Sequence, residues 1–167
     1  VNDANSGEGS ETVLLTLTDT ANYDLGAAAS ATVTIADNTA GSLKKVGGFT
    51  STNGAEIPAF DAGSDRLFVV AASTVEIYSV SNSGALALSG SLAPGFTAPA
   101  GTAILPNSVA VKNGVVAVAY AVRNTSTGAQ QLGQVTLYNA ADGAVLNSVQ
   151  VGYLPDMLTF TPDGSKV

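Results

Sequence analysis

Alternation of apolar and polar positions marks two short strands near the start of the chain. Apolar residues alternate with threonines in ETVLLTLTD (residues 11–19) and again in SATVTIADN (30–38). A period of two predicts antiparallel strands with one buried face, as in a β-sandwich. Because a single hairpin is only marginally stable, we expect the other strands of this first domain, residues 1–40, to lie upstream or to come from another element.

A different pattern starts at Gly41, where apolar strands recur with a period of about 50 residues. Each copy has a polar residue, a short apolar strand, a turn and a second apolar strand. The copies are GAEIPAFDAGSDRLFVVAAS (54–73), ILPNSVAVKNGVVAVAY (104–120) and YLPDMLTFTPDGSKV (153–167). They share one register, in which Phe60, Val111 and Phe160 correspond.

Two more strands complete each of the first two copies. TVEIYSVSNSGAL (74–86) matches QVTLYNAADGAVL (134–146), with Tyr78 and Tyr138 in the same place, and a last strand follows each Gly turn. A repeat of about 50 residues with four short strands predicts a β-propeller blade. A second sandwich, which also has strands at this spacing, is the alternative.

The sequence therefore predicts an all-β chain of two domains. The second domain, 41–167, is predicted to hold blade units at about 43–93 and 104–152 and an incomplete unit at 153–167. Because a closed ring needs at least about four blades, most of such a ring is expected to lie beyond Val167.

The amino-acid composition restricts the ligands and reactions that this chain can support. The 167 residues carry a net charge of −7, from 13 acidic and 6 basic residues, with no Cys and no His. An acidic chain without a basic cluster disfavours binding to nucleic acid or anionic lipid. Thiolate and imidazole chemistry are excluded for this chain, which leaves oxygen donors and hence calcium or magnesium. No apolar run is long enough to span a membrane, so no membrane insertion is expected in this segment.

The first 40 residues resemble the C-terminal half of a Calx-beta domain. The matching positions are Glu8, Gly9, Glu11, Thr12, Val13, Tyr23, Gly26 and the run ATVTIADN from Ala31 to Asn38. The resemblance implies a calcium site that includes Glu8, Glu11 and Asp37. Asp3 would join them if the N-terminal loop folds back.

The rest of the chain, about 43–167, resembles the opening blades of the choice-of-anchor I family. The phrases AEIPAF, NSVAVKNGVVAVA and VGYLPDMLTFTPDGSKV carry the resemblance. The family comprises large secreted bacterial proteins, some of which are described as alkaline-phosphatase-like or esterase-like propellers. It implies an extracellular or cell-surface location.

Three oxygen-bearing residues share a second register position in the repeat. Glu56, Asn107 and Asp156 are spaced by 51 and 49 residues, each at or just before a predicted inner strand. In a propeller they would meet at one mouth of the central channel, where oxygen donors suit a hard cation. Alternatively, they form hydrogen bonds between blades or face channel water.

Two functions stay open at this point. One is a Calx-beta spacer joined to a propeller platform for calcium-dependent binding or adhesion, with a cell-surface ligand. The other is a metal-dependent phosphoesterase with its site at the channel mouth. Catalytic residues cannot be named, since Ser108 has no partner base in this chain. Residues 1–167 alone are expected to be inactive, because the remaining blades of the parent chain would be needed as partners.

Overall fold

The computed structural model describes residues 11–22, 26, 29–35 and 45–167. Every regular element in these ranges is a β-strand, and all pairing is antiparallel, so the predicted all-β class is confirmed. Backbone contacts divide the chain into two compact units, Val1–Lys44 and Lys45–Val167.

The first unit contains the predicted hairpin. Strands β1 (Glu11–Thr16) and β2 (Ser30–Ile35) pair in a register that sets Val13 opposite Val33. The expected buried face is not observed, since Val13 is 44% exposed and Leu15 is 63% exposed. The physical reason is that a two-stranded sheet has no second layer of its own to cover an apolar face.

Two four-stranded meanders form the second unit. The first consists of β3 (Pro58–Asp61), β4 (Arg66–Ala71), β5 (Thr74–Val80) and β6 (Leu86–Leu92), side by side in chain order. The second consists of β7 (Thr102–Lys112), β8 (Val115–Asn124), β9 (Gln130–Asn139) and β10 (Val145–Tyr153), again in chain order.

Local turn chemistry explains why these strands reverse where they do. The β7–β8 turn is Asn113-Gly114, and both residues have positive φ (51° and 76°). This is the conformation that matches the twist of a two-residue hairpin, and Asn and Gly adopt it readily. At the β3–β4 turn, the Asp61 carboxylate accepts hydrogen bonds from the Ser64 amide (2.9 Å) and hydroxyl (2.7 Å). The polar loop between β8 and β9 covers only residues 125–129, because both of its flanks are strand.

The core lies between the two meanders. Its buried side chains from the first sheet are Phe68, Val70, Val75, Ile77 and Leu92, and those from the second sheet and its β9–β10 turn are Val109, Val116, Val118, Tyr120, Tyr138 and Ala140. Burial of a large apolar side chain contributes about 1.5–3 kcal/mol, so this layer holds the two sheets together. The main close backbone approaches between the sheets involve β7, which lies next to β3, β4 and β5.

The last residues of the chain, 154–167, carry no assigned strand but contain an ordered turn. The Thr161 amide donates to the Lys166 carbonyl (3.0 Å), and the Gly164 amide donates to the Thr161 carbonyl (2.8 Å). Gly164 has a positive φ of 73°. The chain therefore reverses at TPDG, as the sequence predicts for the third copy of the repeat.

Candidate functional site

The three predicted channel-mouth residues occupy different local positions. Glu56 is exposed and precedes β3, where its amide donates to the Val70 carbonyl (3.0 Å). Asp156 is exposed in the segment after β10. Asn107 lies in the middle of β7, not at a strand end as expected. The difference arises because β7 starts earlier than the apolar pattern indicates and contains a bulge.

That bulge determines the role that Asn107 plays. In the β7–β8 pairing, Pro106 is opposite Tyr120 and Ser108 is opposite Ala119, so Asn107 has no partner residue. A bulged residue re-aims its side chain. The Asn107 side chain points to the next copy of the repeat, since its Nδ2 donates to the Pro155 carbonyl at 3.0 Å.

Two more hydrogen bonds attach the terminal segment to β7 and its turn. The buried Ser108 hydroxyl accepts from the Leu158 amide (3.2 Å), and Asn113 Nδ2 donates to the Asp163 carbonyl (3.3 Å). Pro155 also packs closely on β9, because a Cβ built on Gly133 would lie 2.5 Å from Pro155 Cδ. The second and third copies of the repeat are thus in direct contact, through residues within one position of the shared register.

The described residues contain no group of three or more acidic side chains arranged to hold a metal ion. Asn107 contacts the residue before Asp156. The metal assignment of Glu56, Asn107 and Asp156 therefore stays a prediction. The Calx-beta-like residues Glu8 and Asp37, and Asp3, lie outside the described residues. Glu11 is described only through its backbone in β1.

Sequence reasoning missed a buried carboxylate in the first sheet. Glu76, on β5, is 6% exposed. It accepts hydrogen bonds from the Tyr78 hydroxyl (2.5 Å) and from Asn53 Nδ2 (2.8 Å). These donors, the Tyr78 hydroxyl first, lower the pKa of Glu76 below its usual value. Burial and the neighbouring carboxylate raise the pKa of Tyr78. The sequence signal for Glu76 was its position two residues before Tyr78, which puts both side chains on one face of the strand.

The second sheet has hydroxyls where the first has this carboxylate. Tyr138 shares a hydrogen bond with the Tyr120 hydroxyl (2.8 Å) and donates to the Ala93 carbonyl (2.8 Å). Burial raises the pKa of both tyrosines, so both hydroxyls are neutral at physiological pH. Thr136, fully buried on the same strand, donates to the Pro94 carbonyl (2.8 Å). These bonds fix the connection from the first sheet, which makes them structural.

The terminal turn contains a second carboxylate, that of Asp163, whose pKa is lowered. Hydrogen bonds from the Thr161 hydroxyl and from the Ser165 amide and hydroxyl lower the pKa of Asp163 to about 2. All three donors belong to the turn itself. Asp163 thus serves to order the hairpin that Thr161–Lys166 forms, as Asp side chains do in turns.

These features define an all-β protein built from repeated four-stranded sheets. The choice-of-anchor I domain matches residues 56–167, which is more than half of the chain. The chain belongs to the choice-of-anchor I family. Comparison with curated proteins and with solved structures gave no match.

Family membership indicates a bacterial protein that is secreted or anchored at the cell surface. The described residues contain no helix of the length and hydrophobicity needed to cross a membrane.

Proposed function

We propose that this chain is part of a β-propeller platform of a surface-associated bacterial protein, and that the platform serves binding rather than catalysis. The observation that carries the proposal is the side-by-side position of corresponding segments. β3 lies next to β7. The terminal segment in turn is bonded to β7 through Asn107 and Pro155, 48 residues apart, and through Ser108 and Leu158, 50 residues apart.

The second sheet has an apolar face that is turned away from the first sheet, and this face is evidence for a further unit of the same kind. On β5 and β6, Val75 is 0%, Ile77 6% and Leu92 5% exposed, because the second sheet covers them. The matching face of the second sheet is also apolar, yet Val149 is 52% exposed. A cavity of about 400 Å³ lies over this face, and Val135, Leu137, Val149, Val151 and Phe160 are among the residues that line it. Another sheet of the repeat would bury these side chains as the second sheet buries those of the first.

The role of Asn107 supports binding over catalysis. Its amide is used to attach the next copy of the repeat, which is the inter-blade hydrogen bond expected of a structural residue. Because that bond uses Asn107 Nδ2 and fixes the direction of the side chain, a hard cation at this register could use only Asn107 Oδ1 in that fixed orientation. The proposal also includes a calcium requirement of the platform and a Calx-beta spacer in front of it. These are tested separately.

Spin labels test the ring geometry, and the absence of cysteine makes single-site labelling clean. Labels would be placed pairwise in or beside the three corresponding turns, through Ala62→Cys, Lys112→Cys and Pro162→Cys. Blades around an axis follow a curve, so the 62–162 distance should be clearly shorter than the sum of the 62–112 and 112–162 distances. A 62–162 distance equal to that sum would indicate a linear stack of sheets and would contradict the propeller.

Calorimetry tests the calcium part. We expect Ca²⁺ to release heat on titration into the chain, and the heat to vanish in Glu56→Gln combined with Asp156→Asn. Heat that persists in the double variant points away from the channel-mouth residues. The absence of heat in the unaltered chain would remove calcium from the proposal.

The phosphoesterase alternative stays a prediction. Hydrolysis of p-nitrophenyl phosphate by the complete parent protein, with and without EDTA, separates it from the platform. The platform proposal expects no turnover in either condition. EDTA-sensitive turnover that Asp156→Asn abolishes would replace the platform by the enzyme.

A further inference from the structure

All four glutamines of the sequence line a single cavity. The cavity has a volume of about 480 Å³ and lies where the second sheet meets the connection that precedes it. Its lining residues are Phe96, Thr97, Ala98, Pro99, Val122, Gln130, Gln131, Leu132, Gln134, Gln150 and Tyr153. Three glutamines of β9 and one of β10 thus line one space.

The strands that carry these glutamines are irregular next to the cavity. The β8–β9 register shifts between Tyr120 and Val122, and the β9–β10 register shifts between Gln150 and Tyr153. Between the two shifts, Gln134 is directly opposite Gln150. Bulges re-aim side chains and are frequent beside binding sites. Here they bracket the glutamine-lined part of the sheet.

The amide groups in the cavity are largely unused by the protein. Within the described residues, Gln130 Oε1 is buried and has no hydrogen-bond partner. Gln134 Oε1 accepts from the Ser148 hydroxyl at 3.3 Å, a long bond. Each side-chain amide offers two donor hydrogens and two acceptor lone pairs. A buried acceptor without a partner costs free energy, and a turn of the Gln130 side chain toward the cavity would let a ligand hydroxyl recover it.

Aromatic and apolar groups form the rest of the wall. Tyr153 is 67% exposed, so its ring is free to contact a ligand. Phe96 is half-buried and is held by an edge contact with Tyr120, at 5.7 Å between ring centroids. Every lining residue is uncharged. The cavity therefore combines apolar surface with convergent polar groups, which is the composition of a small-molecule site.

We propose that this cavity binds a neutral carbohydrate. A sugar presents neighbouring hydroxyls that donate and accept, which suits side-chain amides, and an apolar C–H face that suits an exposed tyrosine ring. An ionic ligand would find no counter-charge among the lining residues. A peptide strand would instead require main-chain hydrogen bonds along a sheet edge, whereas the polar groups here belong to side chains. The site lies within one sheet and its connection, so it does not depend on ring closure.

The test uses the 167-residue chain and a panel of neutral probes: glucose, galactose, mannose, maltose, cellobiose and lactose. We expect at least one saccharide to show saturation transfer and to shift the glutamine side-chain amide signals in ¹⁵N spectra. Tyr153→Ala and Gln150→Ala, both at exposed positions, should each weaken that binding about tenfold, the effect of losing one contact of roughly 1.4 kcal/mol. Asn147→Ala is the control, an exposed amide of the same strand outside the cavity, and should leave binding unchanged.

Three results would overturn the proposal. The first is the absence of binding by every saccharide in the panel. The second is binding that neither cavity variant weakens. The third is equal weakening by Asn147→Ala, which would indicate a general change in the strand. Spin-label distances that contradict the propeller would not change the outcome of the saccharide experiment. The propeller proposal and the carbohydrate proposal can therefore fail independently.

Discussion

The two meanders are copies of one unit, yet they stabilise equivalent tyrosines in different ways. In the first sheet, Tyr78 bonds to the carboxylate of Glu76 and packs on Phe49, with 4.7 Å between ring centroids. In the second, Tyr138 bonds to a hydroxyl and a carbonyl and lies in the layer between both sheets. Both copies of the repeat thus bury the ring, while the partner of its hydroxyl depends on what covers that face.

Truncation of the two tyrosines should give the largest difference. Tyr138→Ala should cost about 3–5 kcal/mol of unfolding free energy, because it opens a cavity in a layer packed from both sides. Tyr78→Ala should cost less, since a single connecting segment covers it and can collapse. Urea unfolding monitored by circular dichroism measures both. Equal losses would show that the two environments are equally packed.

Two glycines at matching places before the two sheets test whether the segments that precede the sheets are packed equally tightly. Gly95 and Gly48 each precede a Phe-Thr pair. Gly95 has a φ of +78°, and a Cβ there would lie 2.9 Å from Thr136 Cγ2. Gly95→Ala should therefore cost roughly 1–3 kcal/mol through backbone strain.

Gly48→Ala is the matched control. A Cβ at Gly48 would meet only the flexible Lys45 side chain, at 3.4 Å. We expect a change within about 0.5 kcal/mol, as for ordinary surface sites. Thermal unfolding of both variants gives the comparison. A loss at Gly48 as large as that at Gly95 would mean that the first connection is as tightly packed as the second.

The buried carboxylate of Glu76 should make the stabilisation provided by the first sheet depend on pH. Because folding lowers the pKa of Glu76 from 4.5, the unfolded chain binds the proton more readily. Its contribution to stability is thus present above pH 4.5 and is lost as the pH falls through the lower, folded value. The difference in stability between the unaltered chain and Glu76→Gln should shrink over that window.

A pH series of urea titrations measures this difference. Thr136→Val, at the matching place in the second sheet, is the control and should give a pH-independent difference. The turn residue Asp163 also titrates in acid, but it does so equally in all three proteins. A difference for Glu76→Gln that stays constant down to pH 3 would contradict the assignment.

The smallest effect is expected at the repeat position that the sequence singled out. Asn107→Ala removes the bond to Pro155 and should cost about 1 kcal/mol. Faster hydrogen exchange of the Leu158 amide should accompany this loss. Glu56→Ala, at the corresponding exposed position of the first copy, should change stability by less than about 0.5 kcal/mol. An unchanged Leu158 exchange rate in Asn107→Ala would show that Ser108, Asn113 and packing hold the terminal segment without Asn107.

Much of the fold could be predicted because its signals are local. Period-two alternation and the turns at Asn113-Gly114 and Pro162-Asp163-Gly164 fix where strands run and reverse, and the repeat register pairs Tyr78 with Tyr138. The bulge at Asn107 could not be predicted, since nothing in PNSV distinguishes a bulged residue from a paired one. The burial of Glu76 depends on Asn53, 23 residues away, and the glutamine cavity depends on two register shifts. Such long-range features leave no periodic trace.

The meander connectivity has a consequence for how the chain assembles. Every strand pairing within a sheet joins neighbours in sequence, so the first sheet can form from local contacts while later residues are still being synthesised. The second sheet can then pack onto a surface that already exists. The connectivity thus permits assembly in the direction of translation, one sheet at a time.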